Sequence, residues 1–185
     1  MIKRAVILHG TDGSPESNWL PWAKRQLEAR GYSVFIPQLP ECHTPNKSVY
    51  DSFLHESNWD FTDNVVIGHS SGATTVLNLL SSEWFPRIEK AILVGTFLNV
   101  RKLDNVSWYE PGQFDNLFND TPYDVDLFKA KVGKFFFVHG DDDPYCDVED
   151  ARRLCDELGA TFLVIDQGLH LSSNRVNLPE ITQFL

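Results

Sequence analysis

The residues with the strongest chemical content are Gly68-His69-Ser70-Ser71-Gly72, a G-x-S-x-G pentapeptide. A serine bracketed by glycines at this spacing suits a tight turn that lifts one hydroxyl clear of the backbone. Its neighbours strengthen the reading. The apolar run Asn64–Ile67 precedes it, and Ala73, Val76, Leu77 and Leu80 follow at helical spacing. Strand, turn and helix in that order set Ser70 against a helix amino terminus. The dipole and free N–H groups there favour developing negative charge. The N–H of Ser71 is one expected oxyanion donor.

A serine hydroxyl attacks only if a base removes its proton. In this arrangement the acid and then the histidine follow the serine along the chain. His170, in Gly168-Leu169-His170, lies just past the last strand candidate and is the expected base. The acid belongs in the loop after the strand candidate Phe135–Val138, which reads His139-Gly140-Asp141-Asp142-Asp143-Pro144. Asp143 is preferred, because a turn before proline aims the side chain back over the sheet edge. Asp141 and Asp142 are solvated or structure the turn, Asp147 is placed to cap the next helix, and Asp166 is the remaining rival.

The second oxyanion donor should come from the loop after the first strand, His9-Gly10-Thr11-Asp12-Gly13. The backbone N–H of Thr11 is assigned that role, with Gly10 as the alternative. The same loop lacks G-x-G-x-x-G and G-K-[ST], so it fits neither dinucleotide nor P-loop phosphate binding. His9, His69 and His139 all fall at strand ends, but no carboxylate-rich ligand spacing accompanies them, so no metal and no other cofactor is expected.

These residues need a scaffold that gathers them. Ala5–Leu8, Ser33–Ile36, Val65–Ile67, Ala91–Val94, Phe135–Val138 and Phe162–Ile165 are short apolar runs without polar alternation, the mark of strands buried on both faces. Helical segments fall between most of them. One is capped by Ser17 or Asn18, carries Pro21 in its first turn and ends at Gly31; one follows the elbow; one spans about Val148–Leu158 before Gly159; the last lies near Leu178–Leu185. This alternation predicts right-handed βαβ units in a three-layer α/β/α sandwich with about six mainly parallel strands. All of residues 1–185 are assigned to a single domain. One stretch, about 97–128, has no clean period and is crowded with aromatic residues. It is read as a cap-like insertion over the site. Gly10, His69, Phe97, Trp108, Tyr109 and Phe114 are the expected substrate-binding set, and Trp19 and Trp22 are read as packing residues near the first loop, one of which could line the site.

The chain has 185 residues and a formal net charge of −10. That surface is unsuited to phosphate backbones or anionic membranes, so no nucleic-acid or membrane partner is expected. No apolar run approaches the roughly 18 residues of a membrane span. The opening Met1–Gly10 reads as a strand rather than a secretory leader. Cys42, Cys146 and Cys155 are odd in number and without paired spacing, which fits free thiols in the cytoplasm.

Taken together, the chain resembles the small serine hydrolases related to retinoblastoma-binding protein 9, a compact branch of the α/β-hydrolase superfamily. The resemblance rests on the His9-Gly10 loop, the Trp19-Leu20-Pro21-Trp22-Ala23-Lys24-Arg25-Gln26-Leu27 helix, the elbow Gly68-His69-Ser70-Ser71-Gly72-Ala73, the Asp142-Asp143-Pro144 turn and Gly168-Leu169-His170. It implies a Ser70–Asp143–His170 triad and hydrolysis of small acyl esters, thioesters or amides. Two departures stand out. Leu169 occupies the usual second glycine before the histidine. Arg153 stands where the retinoblastoma-binding L-x-C-x-E motif needs leucine, so no such partner is expected. The competing expectation is a non-catalytic binding protein that uses the 97–123 aromatic segment. A His170 ring out of reach of Ser70 would favour it. Oligomeric state leaves no mark in the sequence.

Overall fold

A computed structural model describes residues 2–172 and 175–185. The strands are β1 (Lys3–Leu8), β2 (Tyr32–Phe35), β3 (Val65–His69), β4 (Ile88–Val94), β5 (Val132–Gly140) and β6 (Thr161–Ile165). The helices are α1 (Leu20–Glu28), α2 (Lys47–His55), α3 (Ser71–Ser81), α4 (Val125–Lys131) and α5 (Val148–Leu158), followed by a 3-10 turn at Pro179–Gln183. All six strands run parallel in the order β2-β1-β3-β4-β5-β6.

The unbroken apolar character of the strands follows from burial on both faces. Val65 and Ile67 pack with Leu20, Ala23 and Leu27 of α1 and with Ile181 of the terminal turn. Val66, between them, packs with Val76, Leu77 and Leu80 of α3. Helices α2, α4 and α5 join that second layer through Leu54, Phe128 and Leu154. Each such side chain contributes about 1.5–3 kcal/mol when fully buried. The chain leaves β1 toward β2 on one side and later toward β3 on the other, so the strand order reverses beside β1. In open parallel sheets the crevice at the carboxyl ends of such strands takes the ligand. The loop after β1 and the turn after β3 both meet there.

Four local expectations need correction. Helix α1 is capped by neither Ser17 nor Asn18: Trp19 holds the N-cap position without a side-chain bond. Its buried indole Nε1–H donates instead to Leu171 O at 2.8 Å, so a tertiary anchor sets where the helix begins. The terminal segment forms a five-residue 3-10 turn rather than a longer helix, although Ile181 and Phe184 are buried as expected. Helix α2 was not anticipated, since only Tyr50 and Leu54 of its nine residues are buried and the periodic signal is faint. Helix α4 takes over the last part of the 97–128 segment, burying Phe128 alone and capped by Asp124, whose carboxylate accepts from Leu127 N. The irregular stretch is therefore 96–124. By contrast, α5 is capped by Asp147 and closed by left-handed Gly159, as its sequence indicates.

Helix α2 depends on its cap, because Asn46 Oδ1 accepts from both Ser48 N and Val49 N. Asn46→Ala should lower unfolding stability by about 1 kcal/mol, and Asn46→Asp should restore most of it. Chemical denaturation of the two variants measures this.

Candidate active site

Strand β3 ends at His69 and α3 begins at Ser71, leaving Ser70 alone to turn the chain. Its φ of 57° and ψ of −125° lie where a side chain is rarely tolerated, at a cost of about 1–3 kcal/mol. Ser70 N–H donates to Val94 O at 2.9 Å, and Ser70 O accepts from Ala73 N at 2.9 Å. The glycines have a steric cause. A Cβ on Gly68 would stand 2.5 Å from Gly72 O, and one on Gly72 would stand 2.4 Å from Leu8 O. Neither backbone could approach so closely with a side chain present.

His170 comes to this serine from the far end of the chain. Its Nε2 lies 2.9 Å from Ser70 Oγ, and its Nδ1 lies 2.9 Å from Asp143 Oδ2. The other Asp143 oxygen accepts from the N–H groups of Tyr145 and Cys146, both at 2.9 Å. Asp143 is 1% exposed and His170 7%. Burial pushes the Asp143 carboxyl up, but the His170 hydrogen bond and charge and the two backbone N–H groups outweigh it. The net pKa is lowered, so Asp143 is a carboxylate. A carboxylate accepts the Nδ1 proton, which leaves Nε2 as the acceptor facing the serine hydroxyl.

The rival carboxylates have other work. Asp141 Oδ1 accepts from Gln167 N at 2.8 Å and Asp142 Oδ1 from Leu169 N at 2.6 Å, so both brace the loop that carries His170. Asp166 is exposed. Leu169 adopts the left-handed φ of 51° that a glycine would take, with its side chain 57% exposed. The departure at this position leaves His170 within hydrogen-bond reach of Ser70.

The β1 loop completes the rim. A Cβ on Gly10 would lie 2.9 Å from Ser70 Cβ, so the loop backbone passes directly beside Ser70. Thr11 Oγ1 and Ser71 Oγ are hydrogen-bonded at 3.0 Å. Among the described residues, the N–H groups of Thr11 and Ser71 donate to no protein acceptor. The histidines at strand ends are structural. His9 donates from Nδ1 to Gly10 O and accepts at Nε2 from Leu39 N. His139 Nε2 accepts from Thr96 N. His69 donates from Nε2 to His170 O at 3.0 Å and packs edge-on against Trp19.

A cavity of about 410 Å³ opens over Ser70 and His170. Of the expected substrate-binding set, Gly10, His69, Phe97, Trp108 and Phe114 line it, as does Thr11. Tyr109 does not; it stacks on Phe114, with 6.1 Å between ring centroids. Tyr145 lines the cavity and was not anticipated, although it lies only two residues after Asp143. It meets His170 edge-on at 5.1 Å and Trp108 at 5.4 Å. Leu20, rather than Trp19 or Trp22, represents α1 in the wall.

Burial holds the strand-end imidazoles neutral. It lowers the pKa of His69 to about 3, with help from the nearby His170, and that of His139 to about 4; His9 is also lowered. In the unfolded chain these groups titrate near about 6.5. From that pH down to about 4 the unfolded state therefore binds more protons, and stability falls as pH falls. Asp143, with its lowered pKa, loses its contribution only below about 3.8, outside this window. The urea midpoint should drop between pH 7 and pH 5, each imidazole contributing up to about 1.4 kcal/mol per pH unit. His139→Gln should flatten the slope, and an unchanged slope would refute the assignment.

The family described as serine hydrolase matches residues 5–183. The rat (Rattus norvegicus) protein named serine hydrolase RBBP9 is 22% identical over 160 residues, covering 85% of this chain and 81% of the relative. Among solved structures, the ydeN gene product of B. subtilis superposes with a TM-score of 0.85 at 19% identity, covering 98% of this chain and 96% of the other. Est1E from Butyrivibrio proteoclasticus does so with a TM-score of 0.72 at 16% identity, covering 99% and 85%. The α/β-hydrolase architecture, the serine turn between β3 and α3, and a match over almost the whole length lead to one conclusion: this chain belongs to the serine hydrolase family.

Proposed function

We propose that the protein cleaves small carboxylic esters or thioesters through an acyl-enzyme on Ser70, with His170 as general base and Asp143 as its orienting carboxylate. The unbroken hydrogen-bonded line from Ser70 Oγ through both ring nitrogens of His170 to Asp143 carries this reading. His170 Nε2 takes the hydroxyl proton as Ser70 attacks the carbonyl carbon. Asp143 holds the Nδ1–H tautomer and stabilises the imidazolium that forms. The N–H groups of Thr11 and Ser71, free of protein acceptors among the described residues, receive the oxyanion, each worth about 10²–10³ in rate. His170 then protonates the leaving oxygen or sulfur. Water enters by the same base and releases the acid.

The cavity supports a substrate class. Phe97, Trp108, Phe114 and Tyr145 form an aromatic wall beside Ser70. Such a wall favours a hydrophobic or aryl group on the acyl or leaving side. A ferulic acid complex is known for Est1E, a structural neighbour with a TM-score of 0.73 at 15% identity in that complex. Aromatic acyl esters are accordingly the first compounds to test. The alternative of a non-catalytic binder needs a separated Ser70 and His170, and the 2.9 Å distance speaks against it.

A fluorophosphonate probe should label the wild type at Ser70 and leave Ser70→Ala blank. Equal absence of labelling in both would defeat the proposal. In ester hydrolysis, Ser70→Ala should lose on the order of 10⁶ in kcat and Asp143→Asn about 10⁴. Trp108→Ala should raise KM for an aryl ester several-fold while leaving an acetyl ester nearly unaffected. An equal change for both esters would remove the aromatic wall from specificity.

A further inference from the structure

Cys146 has no part in the steps above, yet it stands against the base. Its Sγ is 3.7 Å from His170 Nδ1 and 3.2 Å from Gly95 O, to which the thiol donates. Asp143 Oδ2 lies 2.9 Å from the same Nδ1. One donor atom from each of Asp143, Cys146 and His170 falls within 4.8 Å of the others, and all three residues are buried. Sulfur, imidazole nitrogen and a carboxylate oxygen form a mixed donor set that suits zinc or cadmium and not magnesium or calcium. A tetrahedral zinc, with bonds of about 2.0 Å to nitrogen and about 2.3 Å to sulfur, holds its donors about 3.5 Å apart. The 3.7 Å from Sγ to Nδ1 and the 2.9 Å from Oδ2 to Nδ1 need to change by only a few tenths of an ångström.

We infer that Asp143, Cys146 and His170 form an inhibitory site for a thiophilic divalent cation, of the zinc and cadmium class, on the Nδ1 side of the base. The proton balance explains the inhibition. The cation takes the Nδ1 lone pair, so the ring proton moves to Nε2 and the imidazole stays neutral. Cys146 gives its thiol proton to solvent and binds as thiolate. One proton is released per ion, and the cation's two charges offset the thiolate and the carboxylate. With Nε2 protonated, His170 donates toward Ser70 Oγ and no longer accepts its proton. The ion sits outside the aromatic cavity, so it should depress kcat without raising KM. Entry is past His170, the one member of the cluster that lines the cavity.

The inhibition rests on the proposed role of His170, but the binding does not, and the test separates them. Cadmium titration of the full chain is followed by thiolate-to-metal charge-transfer absorption in the ultraviolet, in wild type, Ser70→Ala, Cys146→Ala and Cys146→Ser. The wild type and Ser70→Ala should show the same Cys146-dependent band, and both Cys146 variants should lack it. Zinc should reversibly inhibit wild-type ester hydrolysis, a chelator should restore it, and either Cys146 variant should need at least about tenfold more zinc. If wild type hydrolyses no ester, the cadmium band alone still decides whether the site exists. A band or a zinc sensitivity that survives unchanged in both Cys146 variants overturns the inference.

Discussion

His170 must meet Ser70 with one ring nitrogen and Asp143 with the other, and the loop carrying it has no regular structure to hold it. Three of its residues, Gln167, Leu169 and Leu171, sit at φ values of 49°, 51° and 50°. Each such side-chain-bearing residue costs about 1–2 kcal/mol. The offset comes from four hydrogen bonds made by three different parts of the fold. Asp141 and Asp142 hold the N–H groups of Gln167 and Leu169, His69 holds His170 O, and the Trp19 indole holds Leu171 O. At about 1 kcal/mol each, these bonds are comparable to the strain they oppose. His170 is placed because the rest of the molecule over-determines its loop.

That loop ties the two layers of the core to the rim. Trp19 opens α1 on one face of the sheet, and His69 precedes Ser70 at the end of the central β3. A carbonyl clamp from His69 requires a proton on Nε2, and because burial keeps the ring neutral, its single N–H proton is the one on Nε2. Asp143, by contrast, stays charged because two backbone N–H groups and the His170 ring satisfy it. Two kinds of titratable group lie within a few ångströms, and their environments drive them to opposite behaviour.

The irregular 96–124 stretch is more than a cover. It has a small core of its own in Phe97, Leu103, Phe114 and Leu117, joined by Cys146 from the loop after β5. Lys102 Nζ donates to Asp143 O at 2.7 Å, and Gln113 Nε2 donates to His43 O at 2.7 Å. His43 in turn pairs with Asp12 in the β1 loop. The segment that walls the cavity is therefore strapped at one point to the loop of Asp143 and at another to the neighbours of the loop after β1.

Much of this was legible in the residues alone. Continuous apolar runs separated by helical spacing specify a parallel sheet covered on both faces, because only strands buried on two sides lack polar alternation. The glycine-bounded serine, the aspartate before Pro144 and the late histidine follow from local chemistry read in chain order. Short-range signals were weaker where few residues are buried, as in α2 and α4, or where a distant partner sets the boundary, as Leu171 O does for Trp19. Tertiary structure alone decided the geometry between remote segments: that Asp141 and Asp142 brace the histidine loop, that Leu169 accepts a glycine's conformation, and that Tyr145 rather than Tyr109 faces the cavity. Those outcomes depend on contacts between residues up to about a hundred and fifty positions apart, and a local pattern carries no distance across such a gap.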